Sequence, residues 1–391
     1  MTALLAIAAL AQAAPVTYRG AVAAESRLYA APPQSVTQFP GPTVSLMADP
    51  TFQHRAGPAL TTVEPFLRMD SHDRDRTHAD LRRADVVASA GWGTGGAGVA
   101  PLRWGVLTGG ARIADVLSQP DQVEGPATTA RLGQPYASLA VGPPALRLEG
   151  LVAPYTRSRT FPGLTGRMRP GYGVDRGDPQ FAGRFGPWTP SGAARVALSA
   201  GPLDLRVAGF RGTSRDPRFV AQLTDPRPAL AYDPLEQVAL DGALVVGPAV
   251  VRAEGALRRY RTGEDRIGSA AAGVGVELTK YGLVKTADLT LLVEAVRDDR
   301  PVGAPVTFVD HDVFAALRLA ANDPAGSELL AGALVDVVTG FTSVRGTVQR
   351  RLDDHWKATV SATVFAGPTR DVLEWWLLGE DHVELQLAYH L

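Results

Sequence analysis

The densest set of groups able to do acid–base chemistry is Asp70-Ser-His-Asp-Arg-Asp75. Residues two apart share a face of an extended chain, which would put Asp70 with His72 and Asp73 with Asp75. An Asp pair beside an Asp–His pair is equipment for activating a water. Hydrolysis, however, needs carboxylates and imidazole converging on that water from opposed walls. Here they all fall in one hairpin-length loop, so the sequence predicts a turn whose carboxylates cap backbone amides. None of the seven histidines is followed two residues later by serine, the pair that would set a base beside a nucleophile on one strand face. No spaced Asp/Asn–Gly loop offers calcium ligands. With no cysteine in the chain, thiolate nucleophiles, thiolate metal sites and disulfides are excluded. The residues point to no enzyme, no metal and no cofactor.

Charge is the second chemical feature. Between residues 156 and 234 lie twelve arginines and six aspartates, with neither lysine nor glutamate. Arginine suits bidentate pairing with carboxylate or phosphate. Arg167, Arg169, Arg215 and Arg218 are therefore candidates for an anion-binding loop facing lipopolysaccharide or an anionic solute. The competing reading is internal pairing with acids such as Asp70, Asp80, Glu149 and Asp204.

Segments of roughly ten residues with apolar and polar positions in alternation must position these charges, which is the pattern of membrane-spanning strands. In Val383 to Leu391 every odd position is apolar, while Glu384, Gln386 and His390 take the other face. Leu289 and Leu291 share a face, as do Leu317 and Leu319, with Phe314 and Arg318 opposite. The apolar face is rich in Ala and Gly and the opposite face carries charge, as suits a lipid-facing outside and a wet lumen. Strands are predicted at 20–30, 43–54, 60–70, 78–90, 99–107, 135–142, 145–155, 192–201, 203–213, 235–246, 249–260, 267–279, 286–297, 311–322, 327–338, 341–351, 356–366 and 381–391. The fold class is thus all-β, a transmembrane antiparallel β-barrel of about 18 strands, or about 16 if one pair is misread. Connections alternate in length. Gly142-Pro143-Pro144, Gly201-Pro202 and Gly247-Pro248 are tight turns, whereas 108–134, 156–191, 214–234, 298–310 and 367–380 are long loops. Short periplasmic turns and long extracellular loops are the expected asymmetry. In the first long loop, Ala111 to Gln119 reads as a short helix with Ile113, Val116 and Leu117 on one face. It either enters the barrel mouth as a constriction or plug, or packs on the outer loops.

Basic and acidic residues nearly balance, at 39 and 40, which argues against a nucleic-acid partner. No stretch reaches the ~20 apolar residues of a membrane helix. Thr2 to Leu10 is apolar and Ala11-Gln12-Ala13 fits a small-x-small cleavage site, so residues 1–13 read as a signal peptide and 14–391 as one barrel domain. The C-terminal strand is the kind of segment through which the barrel-assembly machinery is engaged.

Several segments, in order, resemble an uncharacterised family of proteobacterial outer-membrane β-barrel proteins. They include Glu64-Pro-Phe-Leu-Arg-Met-Asp70, Arg76-Thr-His-Ala-Asp-Leu-Arg82, Leu102-Arg-Trp-Gly-Val106, Gln119-Pro-Asp-Gln-Val-Glu124, Arg157-Ser-Arg-Thr-Phe-Pro-Gly163, Gly212-Thr-Ser-Arg-Asp-Pro-Arg-Phe219 and Asn322-Asp-Pro-Ala-Gly326. The resemblance implies a barrel in the bacterial outer membrane and no particular substrate. In strand count and charged lumen the chain is more loosely similar to alginate-export porins.

The expected function is a channel or export porin passing a small polar or anionic solute. The alternative is a largely plugged barrel that binds lipopolysaccharide or another surface partner. Arg157, Arg159, Asp121 and Glu124 are expected to form a charged constriction near the outer mouth. Arg147, Glu149, Arg68, Asp70 and Arg318 are expected to line the pore.

Overall fold

Alternation along the chain becomes a closed wall of eighteen antiparallel strands in the computed structural model, which describes residues 15–125, 129–171, 173–368 and 375–391. The expected signal segment lies outside the described residues. Strand β1 comprises Thr17–Arg19 and Ala21–Tyr29, and β2 comprises Thr43–Ala48 and Thr51–Ala56. There follow β3 (Ala59–Asp70), β4 (His78–Ala90), β5 (Gly93–Ala100), β6 (Gln134–Val141), β7 (Leu146–Ala153), β8 (Ser191–Ala200) and β9 (Leu203–Thr213). The wall continues through β10 (Pro234–Val246), β11 (Ala249–Thr262), β12 (Asp265–Val284), β13 (Ala287–Asp298) and β14 (Asp312–Ala320). It finishes with β15 (Glu328–Asp336), β16 (Thr342–Arg351), β17 (Trp356–Ala366) and β18 (His382–His390). Each strand pairs with its sequence neighbours, and β1 closes the ring by pairing with β18.

Among the expected strands, the one at 99–107 is misplaced. The wall uses Gly93–Ala100 instead, a glycine-rich stretch with little strand propensity of its own. Residues 101–107 turn inward, with Trp104 and Leu107 buried in the lumen. An apolar pattern reports burial, and here a barrel interior supplied it.

Parity holds along the strands. Leu289 pairs with Leu319 and Leu291 with Leu317 on the outside, whereas Phe314 faces Glu294 on the inside. Leu291, Leu317, Val293, Val383 and Leu385 are exposed on the outer wall. Exposed Tyr18, Trp92, Tyr281, Trp356 and Tyr389 lie toward one rim, and Phe185 and Trp188 toward the other. An apolar band between aromatic girdles is the surface a bilayer requires. One rim carries short turns, such as 57–58, 201–202 and 247–248. The other carries long loops, including 101–133, 154–190, 214–233, 299–311 and 367–381. Two of these loops are bound together by a small sheet in which Asp175–Phe181 pairs with Ala229–Tyr232, and the latter with Arg218–Val220.

Candidate functional site: a lumen crossed by loops

The loop 101–125 runs inside the barrel, so its backbone amides must find partners away from bulk water. Two carboxylates on the inner wall supply them. Glu254 on β11 accepts from the amides of Val106, Leu107 (2.7 Å) and Ala114 (2.8 Å). Glu294 on β13 accepts from Thr108 N (2.8 Å), Thr108 Oγ1 (3.0 Å) and Gly109 N (2.6 Å). Going the other way, Arg258 donates to the carbonyls of Arg112 and Ile113, and Gln237 to that of Ala114. Leu107 and Ile113 pack on Ala239, Ala256, Ala271 and Val296, while Trp104 and Leu117 pack on Tyr136, Leu151 and Phe210. Close approach requires Gly273 on β12: a Cβ there would lie 2.6 Å from Leu107 and 2.7 Å from Ile113.

Residues 111–119 are therefore inside the barrel, but they are not helical. Wall groups take the backbone hydrogen bonds that a helix would use, and the buried Asp115 carboxylate accepts from the amides of Trp104, Leu117 and Ser118, holding a turn. The only helical turn of this loop among the described residues is the 3₁₀ segment Gln122–Glu124.

The proposed constriction residues all lie at the loop end of the lumen, but they do not pair with one another. Arg157 reaches Asp80 at 2.9 Å. Arg159 binds Asp216, which also takes Arg112 (2.6 Å) and Arg300 (3.0 Å). Burial pushes the Asp216 carboxyl up, but these three guanidinium groups hold it well below the ordinary range. Asp121 accepts from Thr160 Oγ1 at 2.7 Å and lies 3.7 Å from both His78 and Arg82. Glu124 joins a deeper network with Arg68 (3.0 Å), Arg76 (3.5 Å) and Arg27 (3.9 Å), in which Glu25, Asp70 and Glu384 are the other acids.

Nearer the turn rim, the lining pairs are Glu149 with Arg195 (2.7 Å) and Arg318 with Glu328 (2.6 Å), and Arg147 donates to Thr94 Oγ1. Here the lumen is wet. Arg318 and Asp204 have side chains 54% and 48% exposed, against 0% for Asp121.

The four arginines expected to bind anions are all engaged within the protein. Arg167 is buried on Glu380 at 2.8 Å. Arg169 donates to the Leu164 carbonyl and Thr37 Oγ1, and Arg218 pairs with Asp233. Arg215 donates to Thr156, Ser191 and the Thr213 carbonyl, and burial pushes its guanidinium down to about 10. Of these four, Arg167 and Arg218 pair with internal acids, whereas the acids expected for that role take other arginines: Asp70 takes Arg76, Asp80 takes Arg157, Glu149 takes Arg195 and Asp204 takes Arg206. The Asp70–Asp75 segment is the expected turn: Asp70 Oδ1 accepts from the amides of His72 and Asp73. Asp73 also accepts from Gly163 N, tying this turn to the loop 154–190.

Sequence reasoning missed Glu25, Arg27 and Arg76, although Glu25 and Arg27 share the inner face of β1 by simple parity. It also missed Glu254 and Glu294 as loop anchors; a glutamate on a wall strand gives no sign of which loop it will hold.

No family model matches the chain, and no curated protein matches it in sequence. Solved barrels match it in fold. OccAB1 of Acinetobacter baumannii has 8% identity and a TM-score of 0.54, covering 96% of this chain and 96% of that one. OccK11 (OpdR) of Pseudomonas aeruginosa has 10% identity and a TM-score of 0.53, covering 96% of this chain and 95% of that one. Wzi of Escherichia coli, described as a carbohydrate-binding β-barrel involved in group 1 capsule assembly, has 8% identity and a TM-score of 0.53, covering 99% and 86%. The fold is that of an outer-membrane β-barrel. The family resemblance is supported at that level and not for a particular family.

Proposed function

We propose that this protein is an outer-membrane channel for a small polar or anionic solute, non-enzymatic, with its long loops outside the cell. The observation that carries the reading is the division of the lumen: wet and charged toward the turn rim, narrowed toward the loop rim by polar loops pinned to the wall. Arg157, Arg159, Asp121 and Glu124 are assigned to the narrow zone, and Arg68, Asp70, Arg147, Glu149 and Arg318 to the lining. Opposed charges along a narrow path orient a dipolar or charged solute while keeping the interior hydrated. Swelling of proteoliposomes in a size series of sugars and organic acids tests this. Entry of small solutes, with anions ahead of cations of equal size, is the expected result.

A second reading, a closed barrel that binds a surface partner, draws on the complete burial of Leu117, Ser118, Gln119 and Asp121. Wzi, similar in fold and described as carbohydrate-binding, is a precedent for it. Absence of swelling together with saturable binding of surface glycolipid to intact cells would favour that reading.

A further inference from the structure

A broad groove of about 1140 Å³ lies outside the barrel, on the membrane face of β6 to β11. Its floor follows from register. Leu139 pairs with Gly150, Gly150 with Ala194, Ala194 with Gly209, Gly209 with Val238, and Val238 with Leu257. All six positions face outward, so a row reads large, small, small, small, large, large across adjacent strands. With strands about 4.8 Å apart, the three small residues leave a trough roughly 10 Å wide.

Internal packing does not require these glycines. A Cβ at Gly150, Gly192 or Gly209 would meet nothing within 4 Å. Glycine weakens a strand interior, and where no neighbour demands it, close approach of something else is the usual meaning.

One pairing step toward the loop rim the character changes. Gly192 pairs with Arg211, Arg211 with Glu236 and Glu236 with Arg259, all on the outer face. These three charges also line a second pocket of about 380 Å³, together with Arg261 and Arg266. Four arginines thus line this pocket against one acid. Glu236 lies 3.6 Å from Arg211 and 3.8 Å from Arg259, whose side chains are 81% and 62% exposed. Among the described residues no ion pair engages Arg261 or Arg266, and the hairpin-tip acids Glu264 and Asp265 do not line the pocket. Thr189 and Pro190 of the same pocket follow exposed Trp188, whose ring is tilted against Tyr155 with centroids 4.7 Å apart. Such aromatics sit at headgroup level.

We propose that this face binds lipopolysaccharide through its lipid A: acyl chains in the Gly150–Ala194–Gly209 trough, phosphates on Arg211, Arg259, Arg261 and Arg266. Charge complementarity selects the occupant. Several arginines above an apolar trough match a lipid with more than one phosphate and several chains, and the loop-rim position matches the outer leaflet. The inference rests on the long loops facing outward but not on solute passage.

The test is native mass spectrometry of the full barrel extracted in mild detergent, titrated with bisphosphorylated hexa-acyl lipid A and, separately, with phosphatidylglycerol. One lipid A per barrel, at least tenfold tighter than phosphatidylglycerol, is expected. The set Arg211→Gln, Arg259→Gln, Arg261→Gln, Arg266→Gln and the pair Gly150→Leu, Gly209→Leu should each weaken it tenfold or more. The arginine set leaves the strand backbone alone, so it decides the matter even where bulky residues impair assembly. Equal binding by both lipids, or lipid A binding unchanged in the arginine set, overturns the proposal. So does cross-linking that shows a second copy of the chain seated on the trough.

Discussion

Arg159 and Asp216 form the point at which four loops meet: the Asp216 carboxylate accepts from Arg159, and also from Arg112 and Arg300 at 2.6 and 3.0 Å. Arg159 belongs to the loop 154–190, Arg112 to 101–133, Arg300 to 299–311, and Asp216 to 214–233. Removing one partner of a buried charge set typically costs about 3–5 kcal/mol, because the remaining charges stay desolvated. Asp216→Asn should therefore loosen the loop layer while the hydrogen-bonded wall stays closed. Limited proteolysis of the reconstituted variant should cut these loops at least tenfold faster with the heat-modifiable barrel band unchanged. Equal cutting rates would show that the clasp is not structural.

Acid should act late on this clasp. A carboxyl held below its unfolded value contributes stability that is complete above that value, near pH 4, and lost only as pH falls through the depressed folded value. Loop protection should be flat from pH 8 to 5 and fall only below the ordinary carboxylate range. Pulse proteolysis across pH 3–8 reads this directly. A transition centred near pH 6 contradicts it.

Gly273 tests whether the first loop must lie against the wall. A side chain there meets Leu107 and Ile113 at under 3 Å, so Gly273→Leu should displace residues 104–114 without disturbing the outer face of β12. A several-fold rise in single-channel conductance with normal assembly is expected. Unchanged conductance in a folded variant would mean that this loop does not limit passage.

The lipid face gives a paired test on β14. Leu317 points outward opposite Leu291, and Phe314 points inward opposite Glu294. Leu317→Arg should cost about 2–4 kcal/mol if it lies near the bilayer midplane. Phe314→Arg should affect membrane insertion less. Folding titrations in lipid vesicles compare them, and equal losses would mean that the outer surface of β14 does not contact acyl chains.

Much of this was legible in the residues, for a physical reason. Strand parity is a period of two, and a slip of one would send Leu289, Leu291, Leu317 and Leu319 into the lumen, so the sequence carries register strongly. The turn residues Gly201-Pro202 and Gly247-Pro248 likewise mark chain reversals by their own backbone preferences. The lumen was less legible. Its charged residues were identifiable as inward-facing, but partner choice depends on how loops from distant parts of the chain cross inside. Arg157 took Asp80 and Arg159 took Asp216, and neither took Asp121 or Glu124. Residues 101–119 misled twice, as strand and as helix, because wall carboxylates took backbone amides that a strand ladder or a helix would have paired.

We propose that ions and small solutes pass a narrow zone whose charge includes Arg157 and Arg159. Single-channel recording in planar bilayers under a salt gradient tests it most directly, comparing the native barrel with the double variant Arg157→Gln, Arg159→Gln. Small discrete conductance steps are expected for both proteins, with a reversal potential shifted toward cation preference in the variant. Absence of steps in the native barrel, or an open channel whose reversal potential is identical in the two, would contradict it.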